Sequence, residues 1–422
     1  MRELGFLLSG NTADCCGCEA CINICPRDAI HMMRDVYGFR YPVVERNKCI
    51  QCNLCKRVCP ISNKPDTNTL METYGGYIND SMIRERSTSG GLFSALVRSF
   101  LDVDNNPRKV YGAVATGLNV KHESALNFDD CKKFCSSKYI QSQIDETYSS
   151  IETDLANNYS IMFSGTPCQI AGLRNFLHLK HVNNMEKIVF VEVLCAGVAA
   201  PLLFEKYDEY LRQKNGARIR SFYWRYKDRN RWDYNCCHYT LENGKEKTID
   251  RWFSGYWSMF TQRLMMRPSC EKCQYKGKSR IGDITLGDLW GVDREYPELY
   301  NDNMGVSLIL INTERGNEVF ENAKTYITFK QVYFDKMKKY QIPSIQGKRF
   351  SPHYEVFMKD LSFLTYPQLC KKWFKAPSLW LVLQKYIFNN AMRVKIWKLK
   401  ARGLRVLKKV NTESEIERDD NR

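Results

Sequence analysis

The feature that most restricts this 422-residue chain is a doubled cysteine formula near its start. "CCGCEACINICP" reads C-x2-C-x2-C-x3-C-P from its first cysteine, giving Cys15, Cys18, Cys21, Cys25 and Pro26. The formula returns as Cys49, Cys52, Cys55, Cys59 and Pro60. Three thiols at that spacing share one tight loop and face a common centre, while the fourth opens a helical turn toward a second centre. Ligands therefore cross over. Cys15, Cys18, Cys21 and Cys59 would surround one 4Fe-4S cluster, and Cys49, Cys52, Cys55 and Cys25 the other. Cys16 is the spare. Zinc knuckles are the rival reading, but zinc sites usually use two separated ligand pairs and accept His, unlike this three-plus-one pattern.

Eighteen cysteines would read as disulfides in an exported chain. Here "MRELGFLLSG" holds only a short apolar stretch, too little for a signal-peptide core. No later run reaches the roughly 18 apolar residues of a membrane span. The expected compartment is a reducing cytoplasm, where clustered cysteines are metal or cofactor ligands. Residues 10–62 resemble two-cluster bacterial ferredoxins, which implies electron transfer.

The remaining chain alternates strand and helix. "YGGYI", helical "GLFSALVRSFL" and strand "KVYGAVAT" come first. Strand "SIMFS", helix "CQIAGLRNFLHL", strand "KIVFVEVL" and helix "PLLFEKYDEYLRQ" follow. Such alternation indicates βαβ units. Residues 217–252 look like an antiparallel meander, and a strand–helix–strand unit returns at 305–329. The expected fold is α/β, a mixed and partly parallel sheet with helices, preceded by a small α+β ferredoxin-like domain. Expected boundaries are 1–62 for the two-cluster domain, 63–72 for a linker, 73–350 for the α/β domain and 351–422 for a basic helical extension with an acidic tail.

A second cysteine group is scattered. Cys168 follows strand "SIMFS", where Thr166 and Pro167 can open a helix. Cys195 ends "KIVFVEVLC", and Cys270 with Cys273 forms C-x2-C. If the two strands are parallel neighbours, Cys168 and Cys195 share the sheet's carboxyl edge, where α/β proteins put their sites. The four can hold a third cubane cluster or zinc; otherwise Cys168 is a reactive thiolate at a helix start and Cys195 a packed thiol. Cys131, Cys135, Cys236, Cys237 and Cys370 are expected to pack in ordinary fashion.

Two stretches suit phosphate: "RSTSGGLFSAL", with hydroxyls and glycines before a helix, and "CSSKYIQS", with Lys138 beside hydroxyls. A helix cap explains the first equally well. Asp283 and Asp288 in "GDITLGDLWG" can bind ribose or cap a helix. In "RIRSFYWRYKDRNRW" a regular strand would put Phe222, Trp224 and Tyr226 on one face and Arg225 and Lys227 on the other, which favours amphipathic sheet over nucleic-acid binding. The net charge of +16 favours an acidic partner, anionic lipid or phosphate-bearing cofactors. Part of it lies in 391–410, a cationic segment able to lie on an anionic membrane from the cytoplasmic side or to stand in solvent.

Together, "STSGGLFSALV", "SSKYIQS", "SGTPCQIAGLRNFL", "VLCAG" and "CEKCQYKGKSRIGDITLGDLWG" resemble the beta-subunit family of coenzyme F420 hydrogenases and dehydrogenases over residues 10–330. The resemblance implies an FAD-containing iron–sulfur oxidoreductase that moves electrons between 4Fe-4S clusters and a two-electron carrier. That carrier is a deazaflavin coenzyme in archaeal relatives, while bacterial relatives often accompany cell-surface polysaccharide genes. It makes Ser89, Gly90, Gly91, Lys138, Thr166 and Asp288 flavin-site candidates, and strengthens the third-cluster reading of Cys168, Cys195, Cys270 and Cys273. The expected partner is an acidic ferredoxin or flavodoxin, or a partner oxidoreductase subunit. The alternative is a non-catalytic subunit that only delivers electrons.

Overall fold

The structure is a computed structural model that describes residues 5–387 apart from 104–105, 229–230, 301 and 348. Two cysteine loops flank an antiparallel hairpin of β1 (Ile30–Arg34) and β2 (Arg40–Val44), in which Ile30 faces Val44 and Arg34 faces Arg40. Each loop runs into a short helix, Ala20–Asn23 or Leu54–Val58. Left-handed backbone at Glu19 and Asn53 makes the turn into each helix. This is the small α+β domain expected from the doubled motif.

The body is built on an eight-stranded sheet. Its strands are β3 (Glu72–Ile78), β4 (Arg108–Thr116), β5 (Asn119–Ala125), β6 (Ser160–Gly165) and β7 (Ile188–Val193). A three-stranded antiparallel sheet intervenes, with β8 (Ile219–Tyr226), β9 (Cys236–Leu241) and β10 (Glu246–Ile249). Then β11 (Ile284–Asp288), β12 (Ser307–Ile311) and β13 (Ile327–Gln331) complete the large sheet. Its order is β13-β3-β12-β11-β7-β6-β4-β5. The central strands β11, β7, β6 and β4 are parallel, and antiparallel strands flank them. Helices cover both faces, so β7 and β12 are apolar almost throughout, as a parallel or central strand must be. β12 and β13 lie either side of β3, joined by helix Glu314–Ala323.

Local signals explain the helices that matter for the site. Gly91 enters helix Leu92–Leu101 with φ 81°, a conformation that favours glycine. Helix Pro167–Leu179 starts with a reciprocal Thr166–Gln169 capping box and Pro167 in its first turn. The parallel register of β6 and β7, with Gly165 opposite Glu192, brings Cys168 and Cys195 to one sheet edge, as the strand pattern implied.

Two features differ from the sequence reading. Pairing of β8 with β9 is irregular between Tyr223 and Tyr226, which breaks the two-residue alternation. Phe222 and Trp224 point inward, but Tyr226 is exposed while Arg225 and Lys227 are buried. Beyond residue 350, Phe357, Leu361 and Leu369 share a core with Phe204, Trp224 and Tyr256, so helices Tyr354–Phe363 and Tyr366–Trp373 are part of the body. The basic stretch 391–410 and the acidic tail lie outside the described residues. Among those described, no helix is long and apolar enough to cross a membrane.

Candidate metal centres and cofactor site

The cysteines gather into three nested sets. Cys15, Cys18, Cys21 and Cys59 line one cavity, with Cys55 at its margin. Cys168, Cys195, Cys270 and Cys273 line a second cavity. Cys16, left over by the spacing, lines both, and its side chain meets those of Cys18 and Cys168. Cys52 is exposed, and the charges of Cys52 and Cys25 both act on Cys55, so this set forms the outer end.

The fit to iron–sulfur clusters rests on the donors and their surroundings. Backbone amides point at sulfur from Ala29 to Cys25 (3.3 Å), Gln51 to Cys49 (3.4 Å) and Gly197 to Cys195 (3.4 Å). Hydrogen bonds of this kind stabilise cluster thiolates. Burial, then the charges of Cys15, Cys59 and Cys55, push the Cys21 thiol well up. Burial followed by Cys270 and Cys168 does the same to Cys195. Thiols crowded like this ionise only when cationic metal is present to hold them. Zinc would draw thiolates in to about 2.3 Å from one ion. Among the described residues no three Cys, His, Asp or Glu side chains converge that tightly. The four-cysteine cavities suit a cluster better than a single ion.

Backbone close approach locks the sets together. A Cβ on Gly172 would stand 3.0 Å from Cys18 Sγ, so helix Pro167–Leu179 presses directly on the first cysteine loop. From the C-x2-C loop, Tyr275 Oη donates to Pro60 O at 2.8 Å and Gln274 Nε2 donates to the same oxygen at 2.9 Å. Glu192, fully buried on β7, pairs with Arg280 and accepts from the amides of Ile281 and Gly282 at 3.0 Å, which pins that loop to the sheet. Asp283 accepts from Phe190 N (2.8 Å) and Thr313 Oγ1 (2.8 Å), so its role is structural. Cys131 and Cys237 are packed core thiols, and Cys236 donates to Asp250.

Of the six flavin candidates, five meet at the carboxyl edge. Ser89 Oγ donates to Val306 O (2.9 Å) and Gly90 N to Ser307 Oγ (2.9 Å), while Ser137 N donates to Thr88 Oγ1 (2.7 Å) and brings Lys138 alongside. Lys138 Nζ donates to Phe134 O and Cys135 O, both at 2.9 Å. Asp288 ends β11 and is taken by Arg225 (2.8 Å) and Trp232 Nε1 (3.2 Å), so its carboxylate organises the protein instead of standing free. Thr166 sits apart, lining the four-cysteine cavity with Cys168 at 3.3 Å from its hydroxyl.

Sequence reasoning missed Lys227. It is buried, donates to Arg84 O and Ser89 O, and forms no ion pair among the described residues. Withdrawal from water pushes Lys227 down to about 7 and Lys138 down to about 8. Two lysines beside Ser89–Gly91, neither paired to a carboxylate among the described residues, fit a site for a doubly charged anion such as a pyrophosphate. Segment 137–141 joins this edge to the clusters: Tyr139 O accepts from Ala199 N, and Gln141 Nε2 donates to Cys16 O (2.6 Å) and Gly17 O (2.9 Å).

Comparison with known proteins places this arrangement. Residues 159–333 match the family model for the C terminus of the coenzyme F420 hydrogenase/dehydrogenase beta subunit, and residues 14–63 match the 4Fe-4S dicluster domain. The chain belongs to the coenzyme F420 hydrogenase/dehydrogenase beta-subunit family. Like its relatives it is an iron–sulfur electron-transfer protein, and its N-terminal region is a ferredoxin-type 4Fe-4S domain. A ferredoxin described as 7Fe, from Hydrogenibacillus schlegelii, is 32% identical over 69 residues, 16% of this chain and 82% of that protein. A chain from the xenon-derivatised F420-reducing [NiFe] hydrogenase complex of Methanosarcina barkeri aligns with TM-score 0.46 and 17% identity, covering 67% of this chain and 91% of that one.

Proposed function

We propose that this beta-subunit relative is an iron–sulfur flavoprotein oxidoreductase. In this reading it passes single electrons inward through three 4Fe-4S clusters to FAD and on to a two-electron carrier. The observation that carries the reading is the nesting of the cysteine sets, from exposed Cys52 to the four-cysteine cavity beside the carboxyl edge. Cys25, Cys49, Cys52 and Cys55 would hold the outer cluster and Cys15, Cys18, Cys21 and Cys59 the inner one. Cys168, Cys195, Cys270 and Cys273 would hold the third. Ser89, Gly90 and Gly91 would meet the pyrophosphate of FAD, and Lys138 and Lys227 would offset its charge. Arg225, held by Asp288, lies at the same edge. Bound flavin supplies the exchange between one-electron and two-electron transfer that clusters alone cannot perform.

The excess of basic side chains supports an acidic ferredoxin or flavodoxin as donor, or an acidic face on a partner oxidoreductase subunit. Anaerobically purified protein should reduce or oxidise a deazaflavin, flavin or nicotinamide carrier in a steady-state assay without any partner. Bound flavin with no turnover of any carrier until a partner subunit is added would favour the relay reading instead.

A further inference from the structure

Arg267 is among the largest fully buried side chains of the molecule, and among the described residues it forms no ion pair. Its Nε donates to Cys15 O at 2.7 Å and Nη2 to Cys15 Sγ at 3.3 Å. Nη2 also donates to Arg40 O at 2.9 Å, and Nη1 to Gln141 Oε1 at 3.2 Å. Tyr41 and Phe39 present their ring faces at 4.5 and 5.5 Å. Asp35 feels its charge without pairing to it. A buried guanidinium with no carboxylate is costly unless some other negative charge answers it. Among the described residues, the only group bonded to it that can carry negative charge is the Cys15 thiolate. A Cβ on Gly17 would stand 2.9 Å from the guanidinium, so the cysteine loop is shaped to receive it.

We propose that Arg267 sets the reduction potential of the cluster held by Cys15, Cys18, Cys21 and Cys59, raising it above that of the outer cluster. The inference rests on the ligand assignment above. Reduction adds one negative charge to a cluster, and a fixed cation bonded to a ligating sulfur stabilises the reduced form more than the oxidised one. The outer set has no counterpart among the described residues: Cys25 and Cys49 receive backbone amides, and Cys52 faces water. An electron entering at the outer cluster then moves downhill to the inner one. Arg267 also stands three residues before Cys270, so one side chain reports the state of the inner cluster to the loop that carries the next cysteine pair. It is a positioning residue and does not touch a substrate.

The test is a potentiometric titration followed by electron paramagnetic resonance on the full chain, after iron and sulfide have been counted. Arg267→Met removes the charge and keeps the bulk; Arg267→Lys keeps the charge and loses the planar fork. With iron complete, Arg267→Met should lower one reduction step by about tenfold in its equilibrium, about 59 mV for one electron, and leave the other steps in place. Arg267→Lys should stay within about twofold of the unaltered protein. Steps that all coincide with the unaltered protein, or all move together, overturn the inference. If Arg267→Met loses iron, Arg267→Lys carries the test alone, and a tenfold drop there overturns it. Iron and sulfide missing from the unaltered protein would instead defeat the ligand assignment itself.

Discussion

Lys138 and Lys227 illustrate how single residues make the flavin edge testable. Both are held below the ordinary lysine range, mainly by withdrawal from water. Without ligand, the unfolded chain keeps a proton that each folded lysine has lost. Their contribution to stability therefore rises with pH from about 7 toward the unfolded value of about 10.4. A bound pyrophosphate reverses the local preference and restores the charge. FAD binding at pH 8 should take up protons, seen calorimetrically in buffers of different ionisation enthalpy, and should weaken toward pH 9. Proton release on binding would contradict the site. Cys16 offers a second test at this scale. It completes no ligand spacing yet touches both Cys18 and Cys168. Cys16→Ser should keep full iron while altering the spectrum of the third centre, whereas Cys15→Ser should lose or convert the inner cluster.

Among elements, helix Pro167–Leu179 matters most, because it carries Cys168 and supports the ferredoxin loop at Gly172. Gly172→Val would push branched carbons where even a Cβ is tight against Cys18. The expected cost is about 1–3 kcal/mol of stability with loss of inner-cluster iron, read by thermal unfolding and metal analysis. Much of this element was legible in sequence, since Thr166, Pro167 and Gln169 form a local capping signal and the strands on either side are plainly apolar. The twelve candidate ligands were legible from spacing and strand position, and the structure groups them as expected. Arg267, Gln141 and Lys227 were not, because each acts through a partner far away in sequence. A lone Arg in "RPSC" carries no mark of the thiol it will meet 252 residues earlier. The irregularity in β8 was equally invisible: periodicity assumed a regular strand, and one shift turned Arg225 and Lys227 inward.

At the scale of the whole molecule, the fold stacks a one-electron module on the edge of a sheet that suits a phosphate-bearing cofactor. Asn68 exchanges backbone hydrogen bonds with Arg280, so even the connection between the two runs along the body. The positive charge of the chain predicts that reduction by an acidic donor slows steeply with salt, as the Debye length falls from about 10 Å at 0.1 M to about 3 Å at 1 M. Stopped-flow rates that ignore salt would argue against electrostatic docking. The most direct measurement of the central claim is the cofactor content of anaerobically prepared full-length protein, alone and with Cys168→Ser. Three clusters and one flavin predict about twelve iron, about twelve sulfide and about one FAD per chain, with the variant disturbed only in the third centre. About eight iron and eight sulfide, unchanged by Cys168→Ser, would contradict it.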